Sequence, residues 1–175
     1  MHFGWARGVV VAACLAVLSA CGPEVTPPVD VKANAQAAAA FMQKNAREDG
    51  VITLPSGLQY KVLTAGAADA VSPDSNDLVR VDYEGTLTDG TVFDSSFAKG
   101  QPYVTTPQQV VPGWTEALQT MKVGDEWLLF VPPELGYGEQ SSGPIPPNSV
   151  LVFRMKLLDV APAPGGTRGV GQATG

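Results

Sequence analysis

Ten consecutive residues, Leu78-Val79-Arg80-Val81-Asp82-Tyr83-Glu84-Gly85-Thr86-Leu87, alternate between apolar and polar side chains. A period of two puts Val79, Val81 and Tyr83 on one face of a strand and Arg80, Asp82 and Glu84 on the other. Such a strand is stable only where its apolar face is covered by another layer. Gly57 to Leu63 repeats the alternation, and Trp127 to Val131 and Leu151 to Leu158 are rich in strand-forming residues. Asp89-Gly90 is a hairpin turn signal, because glycine accepts the positive φ of a tight two-residue turn. Among these strands only Trp114 to Lys122 has helical spacing, with Trp114, Leu118 and Met121 on one face and Gly124 as its stop. One short helix among five or so antiparallel strands predicts an α+β domain whose sheet wraps over the helix. About 110 residues are enough for such a domain to bury its own core.

The chain, 175 residues long, continues beyond this domain at both ends. Arg7 and the apolar run from Val9 to Leu18 suit a signal peptide. The run is too short to span a bilayer as a helix, which takes about 20 residues. It leads into Leu18-Ser19-Ala20-Cys21, which resembles the bacterial lipobox. On that reading residues 1–20 are a lipoprotein signal peptide, and Cys21 is lipidated and ties the chain to a membrane. The competing reading is ordinary signal cleavage with an incidental cysteine. Gly22 after the cysteine resembles the pattern of lipoproteins sent to the outer membrane, facing the periplasm or the cell surface. Residues 21–50 read as a tether containing Pro23, Pro27 and Pro28, followed by a helix from Ala33 to Arg47 that stops at Gly50. The folded domain spans 51–161, and the glycine- and proline-rich residues 162–175 read as a disordered tail.

Composition excludes most catalytic chemistries. His2 and Cys14 leave with the signal peptide, and Cys21 is the only other histidine or cysteine. There is then no imidazole base, no Ser-His-Asp triad, no disulfide and no histidine- or cysteine-ligated metal. Neither nucleotide-binding glycine motif is present; Gly136-Tyr137-Gly138 is a lone G-x-G. No acidic pair stands out as a glycosidase couple. The formal net charge is −6, and losing Arg7 with the signal takes it by one to −7. An acidic chain argues against nucleic acid as a partner. Aromatic and apolar side chains must carry the function, and neither metal nor cofactor is expected.

Tyr83, Phe93, Tyr103, Trp114, Tyr137 and Phe153 fall at turns, strand ends and the helix start. Filling the core is the ordinary role of such residues, and Trp114 and Phe153 taken alone read that way. Tyr137, between two glycines in a segment ending Ile145-Pro146-Pro147, is placed to offer its hydroxyl to a ligand. Asp94, beside Phe93, is either a strand-end carboxylate bonding the backbone of Ser95 or Ser96, or part of a site.

Four motifs follow in unbroken order within residues 51–160: V-D-Y-E-G-T-L-T-D-G-T-V-F-D-S-S, V-V-P-G-W-T-E-A-L-Q-T-M-K-V-G-D, P-P-E-L-G-Y-G and I-P-P-N-S-V-L-V-F. Together they resemble the FKBP-type peptidyl-prolyl cis-trans isomerases. The run T-L-P-S-G-L-Q-Y-K-V-L is similar to the macrophage infectivity potentiator branch. The long helical arm by which members of that branch dimerise is missing here, which implies a monomer. The resemblance implies an FKBP-like fold: a curved antiparallel sheet of five to six strands around one short helix, with a short N-terminal helix outside the domain. It implies isomerisation of X-Pro bonds in extracytoplasmic protein folding. Proline-containing peptides or unfolded proteins would be partners, and macrolides such as tacrolimus or rapamycin inhibitors.

The same resemblance implies an apolar pocket on the concave side of the sheet. Trp114 would floor it, and Phe93, Tyr103, Val110, Ile145 and Phe153 would line it. Catalytic roles would fall to Asp94, Tyr137, Val111 and Tyr83. The Val111 N–H and the Tyr137 hydroxyl would bond carbonyl oxygens of the peptide, and Asp94 would accept from a hydroxyl such as that of Tyr83. Two departures stand out. Thr105 occupies a position where an aromatic is expected, loosening one wall. The loop from Glu139 to Pro144 is short, with Pro144 before Ile145, so the preference for the residue preceding proline should change. A module of the same fold that holds proline-containing clients without catalysis is the alternative.

Overall fold

The computed structural model describes residues 30 to 165. The expected signal peptide, Cys21 and most of the tether lie outside these residues. The first element is the helix α1 (Val31–Asn45), which Asp30 caps by accepting hydrogen bonds from the Lys32 and Ala33 N–H groups, both at 3.0 Å. Strands β1 (Val51–Thr53) and β2 (Gln59–Thr64) follow, then β3 (Leu78–Thr86) and β4 (Val92–Ser95). A four-residue helix, α2 (Ser96–Lys99), leads to β5 (Tyr103–Thr105) and to the main helix, α3 (Pro112–Thr120). Strands β6 (Glu126–Val131) and β7 (Leu151–Ala161) complete the domain.

All strands join one antiparallel sheet in the order β1-β2-β6-β7-β3-β4, with β5 also paired to β3. The sheet has seven strands among the described residues, against the five to six expected. The additions are β1 and β5, each three residues long, too short to display a period of two. The alternation that β3 advertises is real: Val79, Val81 and Tyr83 are buried while the residues between them are not. Helix α3 packs its Trp114, Ala117 and Leu118 into the core with Leu129, Met155 and Leu157 from the sheet.

Three features differ from the sequence reading. Helix α3 starts at Pro112, whose fixed φ and missing N–H suit the first helical position. It ends at Thr120, because Met121 turns extended (ψ 155°) while remaining in the core. At the other end, the residues just after β7 are ordered, where a disordered tail was expected from 162. The Ala163 N–H donates to Asp77 Oδ1 at 2.9 Å, and Asn76 Nδ2 donates to the Pro164 carbonyl at 3.1 Å.

The third difference concerns α1. It is docked on the domain through Asn34, Ala38, Phe41, Met42 and Asn45, positions that recur at helical spacing. Asn45 Nδ2 donates to Gln59 Oε1 at 2.8 Å, and Gln59 Nε2 donates back to the Met42 carbonyl at 2.9 Å. The Phe41 and Phe130 rings lie 6.1 Å apart. This face was invisible in the sequence because alanines surround it on every side. Among the described residues, no helix is long and apolar enough to cross a membrane.

Close contact between α3 and β6 depends on Gly113. A Cβ at that position would stand 2.6 Å from Val131 Cγ1. Gly113→Ala is therefore expected to destabilise the domain by about 1–3 kcal/mol through overpacking. Urea denaturation should show a lower midpoint at an unchanged slope.

Candidate functional site

A cavity of about 770 Å³ opens between α3, the sheet and the segment joining β6 to β7. The structure brings together on its wall every cavity residue to which the motifs pointed. Tyr83 comes from β3, Phe93 and Asp94 from β4, Tyr103 from β5, and Phe153 from β7. Val110 and Val111 precede α3, Trp114 lies in its first turn, and Tyr137 and Ile145 belong to the β6–β7 segment. Cys21 lies outside the described residues.

Adjacent residues of a regular strand point to opposite faces, yet Phe93 and Asp94 share this cavity. The register explains it. Thr86 pairs with Val92, but Gly85 pairs with Asp94, so β4 carries one residue more than β3 across the same step. The extra residue is Phe93, and the bulge turns the strand enough for both side chains to reach the cavity.

The rings meet edge to face, the arrangement their quadrupoles favour. The Tyr83 and Phe153 rings each lie 5.0 Å from the indole of Trp114, at 82° and 80° to its plane. Phe93 stands at 89° to Phe153, with centroids 5.5 Å apart. Rings perpendicular to one buried indole make walls over a floor, so the cavity is a cup. Its depth is graded: Trp114 is only 5 % exposed, and Tyr137 at the rim is 43 % exposed.

One edge of the cup is polar. Along that edge β3 pairs first with β5, at Val79 to Val81, and then with β4, at Glu84 to Thr86. Tyr83 sits in the gap, and its N–H donates instead to Ser96 Oγ at 3.0 Å, while the Ser96 hydroxyl donates to Asp82 Oδ1 at 3.0 Å. Ser95 caps α2 by accepting from the Ala98 N–H. The short helix so fixed delivers Lys99, whose Nζ lies 2.6 Å from Asp94 Oδ1 and donates to the Tyr83 hydroxyl at 3.3 Å. The Tyr83 hydroxyl in turn donates to Asp94 Oδ2 at 2.5 Å. Asp94 also accepts from the Ser95 N–H at 2.8 Å, so it makes the strand-end bond and the site bond at once.

These contacts set the charges. Burial, reinforced by the bond to Asp94 and opposed by Lys99, raises the Tyr83 phenol to about 12. Burial pushes the Asp94 carboxyl up, but bonds from Lys99, Tyr83 and the Ser95 N–H outweigh it and hold Asp94 below its ordinary value. The bonds to Asp94 and Tyr83 raise Lys99. The result is a neutral phenol between a fixed carboxylate and a fixed ammonium.

Sequence reasoning missed Lys99, which becomes a neighbour of Asp94 only once α2 has formed. It also missed Gln109; Ser142, Gly143 and Pro144, from the loop singled out for its bearing on preference, complete the wall. Thr105 does not line the cavity. It is buried in β5 opposite Val79. Among the described residues, no cluster of His, Cys, Asp or Glu could hold a metal ion.

Comparison with known proteins places this architecture. A family profile described as FKBP-type peptidyl-prolyl cis-trans isomerase matches residues 69–158. The chain belongs to the FKBP-type peptidyl-prolyl cis-trans isomerase family. The domain described as amino terminal to that isomerase matches residues 28–62 of this FKBP-type chain. The peptidyl-prolyl cis-trans isomerase Mip of Coxiella burnetii is 50 % identical over 128 residues, covering 73 % of this chain and 55 % of that protein. The outer membrane protein MIP of Legionella longbeachae is 49 % identical over 125 residues, covering 71 % and 53 %. The FKBP-type chain thus spans about half the length of these curated relatives. Its fold superposes on the crystal structure of FkpA from Escherichia coli with a TM-score of 0.73 at 44 % identity, covering 77 % of this chain and 62 % of that one. A peptidyl-prolyl cis-trans isomerase from Pseudomonas syringae gives 0.71 at 36 % identity, covering 77 % and 98 %.

The polar edge makes its own prediction. Tyr83 is raised above its ordinary 10.0, so the folded state holds that proton more tightly. Its contribution to stability is complete below pH 10 and is lost as pH rises through about 12. Asp94 runs the other way: depressed below 3.8, it contributes fully above that pH and loses its contribution as pH falls further. Difference ultraviolet titration of the chain against Tyr83→Phe should place one phenol near 12. In Lys99→Met, NMR titration should find the Asp94 carboxyl above its depressed position, because burial remains after the cation is gone.

Proposed function

We propose that this chain is a peptidyl-prolyl cis-trans isomerase that accelerates rotation about X-Pro bonds in extracytoplasmic proteins. One observation carries the reading. The cavity is an aromatic cup, floored by Trp114 and walled by Tyr83 and Phe153, with Asp94, Lys99 and the Tyr83 hydroxyl bonded to one another along one edge. No group there is poised to move a proton. Asp94 is locked between a cation and a phenol, and the phenol holds its proton up to about 12.

Isomerisation needs no proton transfer. The barrier, about 18–20 kcal/mol, is the loss of C–N resonance on twisting. Uncatalysed X-Pro bonds take tens to hundreds of seconds to rotate. The planar amide is polar, whereas the twisted one has a less negative oxygen and a pyramidal nitrogen. A water-poor aromatic site disfavours the planar form more than the twisted form, and that difference lowers the barrier.

In this reading the proline ring sits on Trp114 between the edge-to-face walls. Phe93, Tyr103, Val110, Ile145 and Phe153 exclude water around it. The Val111 N–H and the Tyr137 hydroxyl hold carbonyl oxygens of the flanking backbone. Val111 is the residue before Pro112 at the start of α3, and its N–H has no acceptor among the turn and cap hydrogen bonds of the described residues. Asp94 and Tyr83 keep the polar edge ordered beside the twisting amide. Pro144 and Ile145 both line the cavity, where they bear on the residue preceding proline. Proline-containing or unfolded chains are the substrates, and macrolides such as tacrolimus and rapamycin fit the same cup as inhibitors. The chain acts as a monomer, tethered by lipid on Cys21 to the outer membrane. The relatives whose printed names include Mip and an outer membrane protein support that location.

A protease-coupled assay with an Ala-Leu-Pro-Phe type peptide tests the reading on residues 22–175. Rate acceleration abolished by tacrolimus is expected; a flat trace from folded protein would refute the enzyme and leave a holding module. Tyr137→Phe, which removes one hydrogen bond of about 1 kcal/mol, should lower kcat/KM roughly five-fold. Asp94→Ala strands both Lys99 and the Tyr83 hydroxyl, and should cost on the order of tenfold or more. For the anchor, Cys21→Ala should leave the membrane fraction; persistence there would remove lipidation.

A further inference from the structure

The segment from Ser142 to Asn148 forms one lip of the cup and is poor in hydrogen-bond donors. Pro144, Pro146 and Pro147 have no N–H. Between Gly143 and Ser149, only Ile145 and Asn148 can therefore donate from the backbone. The Ile145 N–H is spent locally, on the Ser142 carbonyl at 3.0 Å, with the Ser142 N–H returning to the Ile145 carbonyl at 3.0 Å. The Asn148 N–H is the one that reaches back across the lip, to the Gly138 carbonyl at 2.7 Å, next to Tyr137. The placement of the Tyr137 side of the rim thus leans on the backbone of Asn148.

Asn148 is itself held from outside the domain core. Its φ is 54°, the left-handed region that asparagine tolerates better than most residues. Its Nδ2 donates to the Val31 carbonyl, in the first turn of α1, at 3.0 Å. One turn along the helix, Asn34 Nδ2 donates to the Pro147 carbonyl at 2.9 Å. These two amides run in opposite directions across the same junction, so they fix both position and register. Packing does not do the same work here. A cavity of about 210 Å³ lies between α1, the Leu87–Asp89 turn and Pro146. The far end of α1 is anchored differently, by the buried Asn45–Gln59 pair and the Phe41–Phe130 contact.

The geometry points to α1 as a strap, fixed to the sheet at its C-terminal end, whose first turn positions the Tyr137 lip of the cup through Asn34 and Asn148. This inference rests on reading the cup as the prolyl-peptide site. Both asparagines are positioning residues: neither lines the cup, and each acts through the Gly138–Asn148 bond. The end of the strap that meets the lip is the end that follows the tether, so whatever holds the tether acts on the lip.

The test uses Asn34→Ala and Asn148→Gly in the full chain; glycine keeps the left-handed backbone and removes only the side-chain tie. Titration of an Ala-Leu-Pro-Phe type peptide by NMR should show affinity weakened about five-fold in each variant, as expected for one lost hydrogen bond. The double variant should be little worse than either single one, because the two ties serve one junction. Hydrogen exchange at the Asn148 N–H of Asn34→Ala should quicken about tenfold, while the Leu129 and Met155 amides keep their protection. Unchanged affinity and unchanged exchange at Asn148 would overturn the strap. Exchange that quickens equally throughout the sheet would overturn it too, since that reports general loss of stability. A flat isomerase trace from the unaltered chain refutes the enzyme alone, and exchange at Asn148 still decides the strap.

Discussion

β3 bonds to three other strands, and the cup exists because of how those partners divide its edges. β7 accompanies it along one side, from Leu78 opposite Ala161 to Thr86 opposite Val152. On the other side β5 and β4 share the edge and leave a gap at Tyr83. An unpaired backbone donor in that gap would be costly if buried. Ser96 satisfies it, and in doing so fixes α2 against the sheet. The polar edge follows from that bond, because α2 brings Lys99 to Asp94 and Tyr83. A single unpaired amide in the sheet is thus linked to the charge arrangement of the site.

The apolar walls depend on an absence. Gly85 stands opposite Phe153 on β7 and opposite Asp94 on β4. A Cβ there would come within 2.6 Å of the Phe93 ring and 2.8 Å of the Phe153 ring. The two rings close over bare backbone and meet at a right angle there. Any side chain at this position would push apart the walls that Trp114 supports from below. The glycine on the buried face of β3 is thus the residue that shapes the cup.

Much of this was legible beforehand. β3 was readable because each of its faces meets one environment, so the period of two survives intact. The cavity residues were readable through motif order, which a chain keeps even where periodicity fails. What escaped detection was held together across space. Lys99 joins Asp94 only after Ser95 has capped a four-residue helix. The docked face of α1 is written in Asn34, Ala38 and Asn45, residues whose burial no hydropathy pattern announces, because its strongest ties are amide hydrogen bonds. Thr105 itself lies in β5 opposite Val79 and away from the cavity lining, a placement that motif position does not report. The order of the residues just past β7 rests on Asp77 and Asn76, far away in sequence, which glycine and proline content does not register; the rest of the expected tail, 166–175, lies outside the described residues.

The bulge at Phe93 separates two kinds of change that evolution can make in the β3–β4 hairpin. Because Thr88 and Thr91 are exposed, their letters can drift at little cost, whereas Gly90 sits at a φ of 89° and Asp89 accepts from the Thr91 N–H. The length of the turn cannot drift. One residue gained or lost would move the bulge off Phe93, return that ring and the Asp94 carboxylate to opposite faces, and dissolve the cup without touching a single residue that lines it. Among descendants of this chain, substitutions should therefore collect at Thr88 and Thr91, while insertions and deletions should be excluded from the turn.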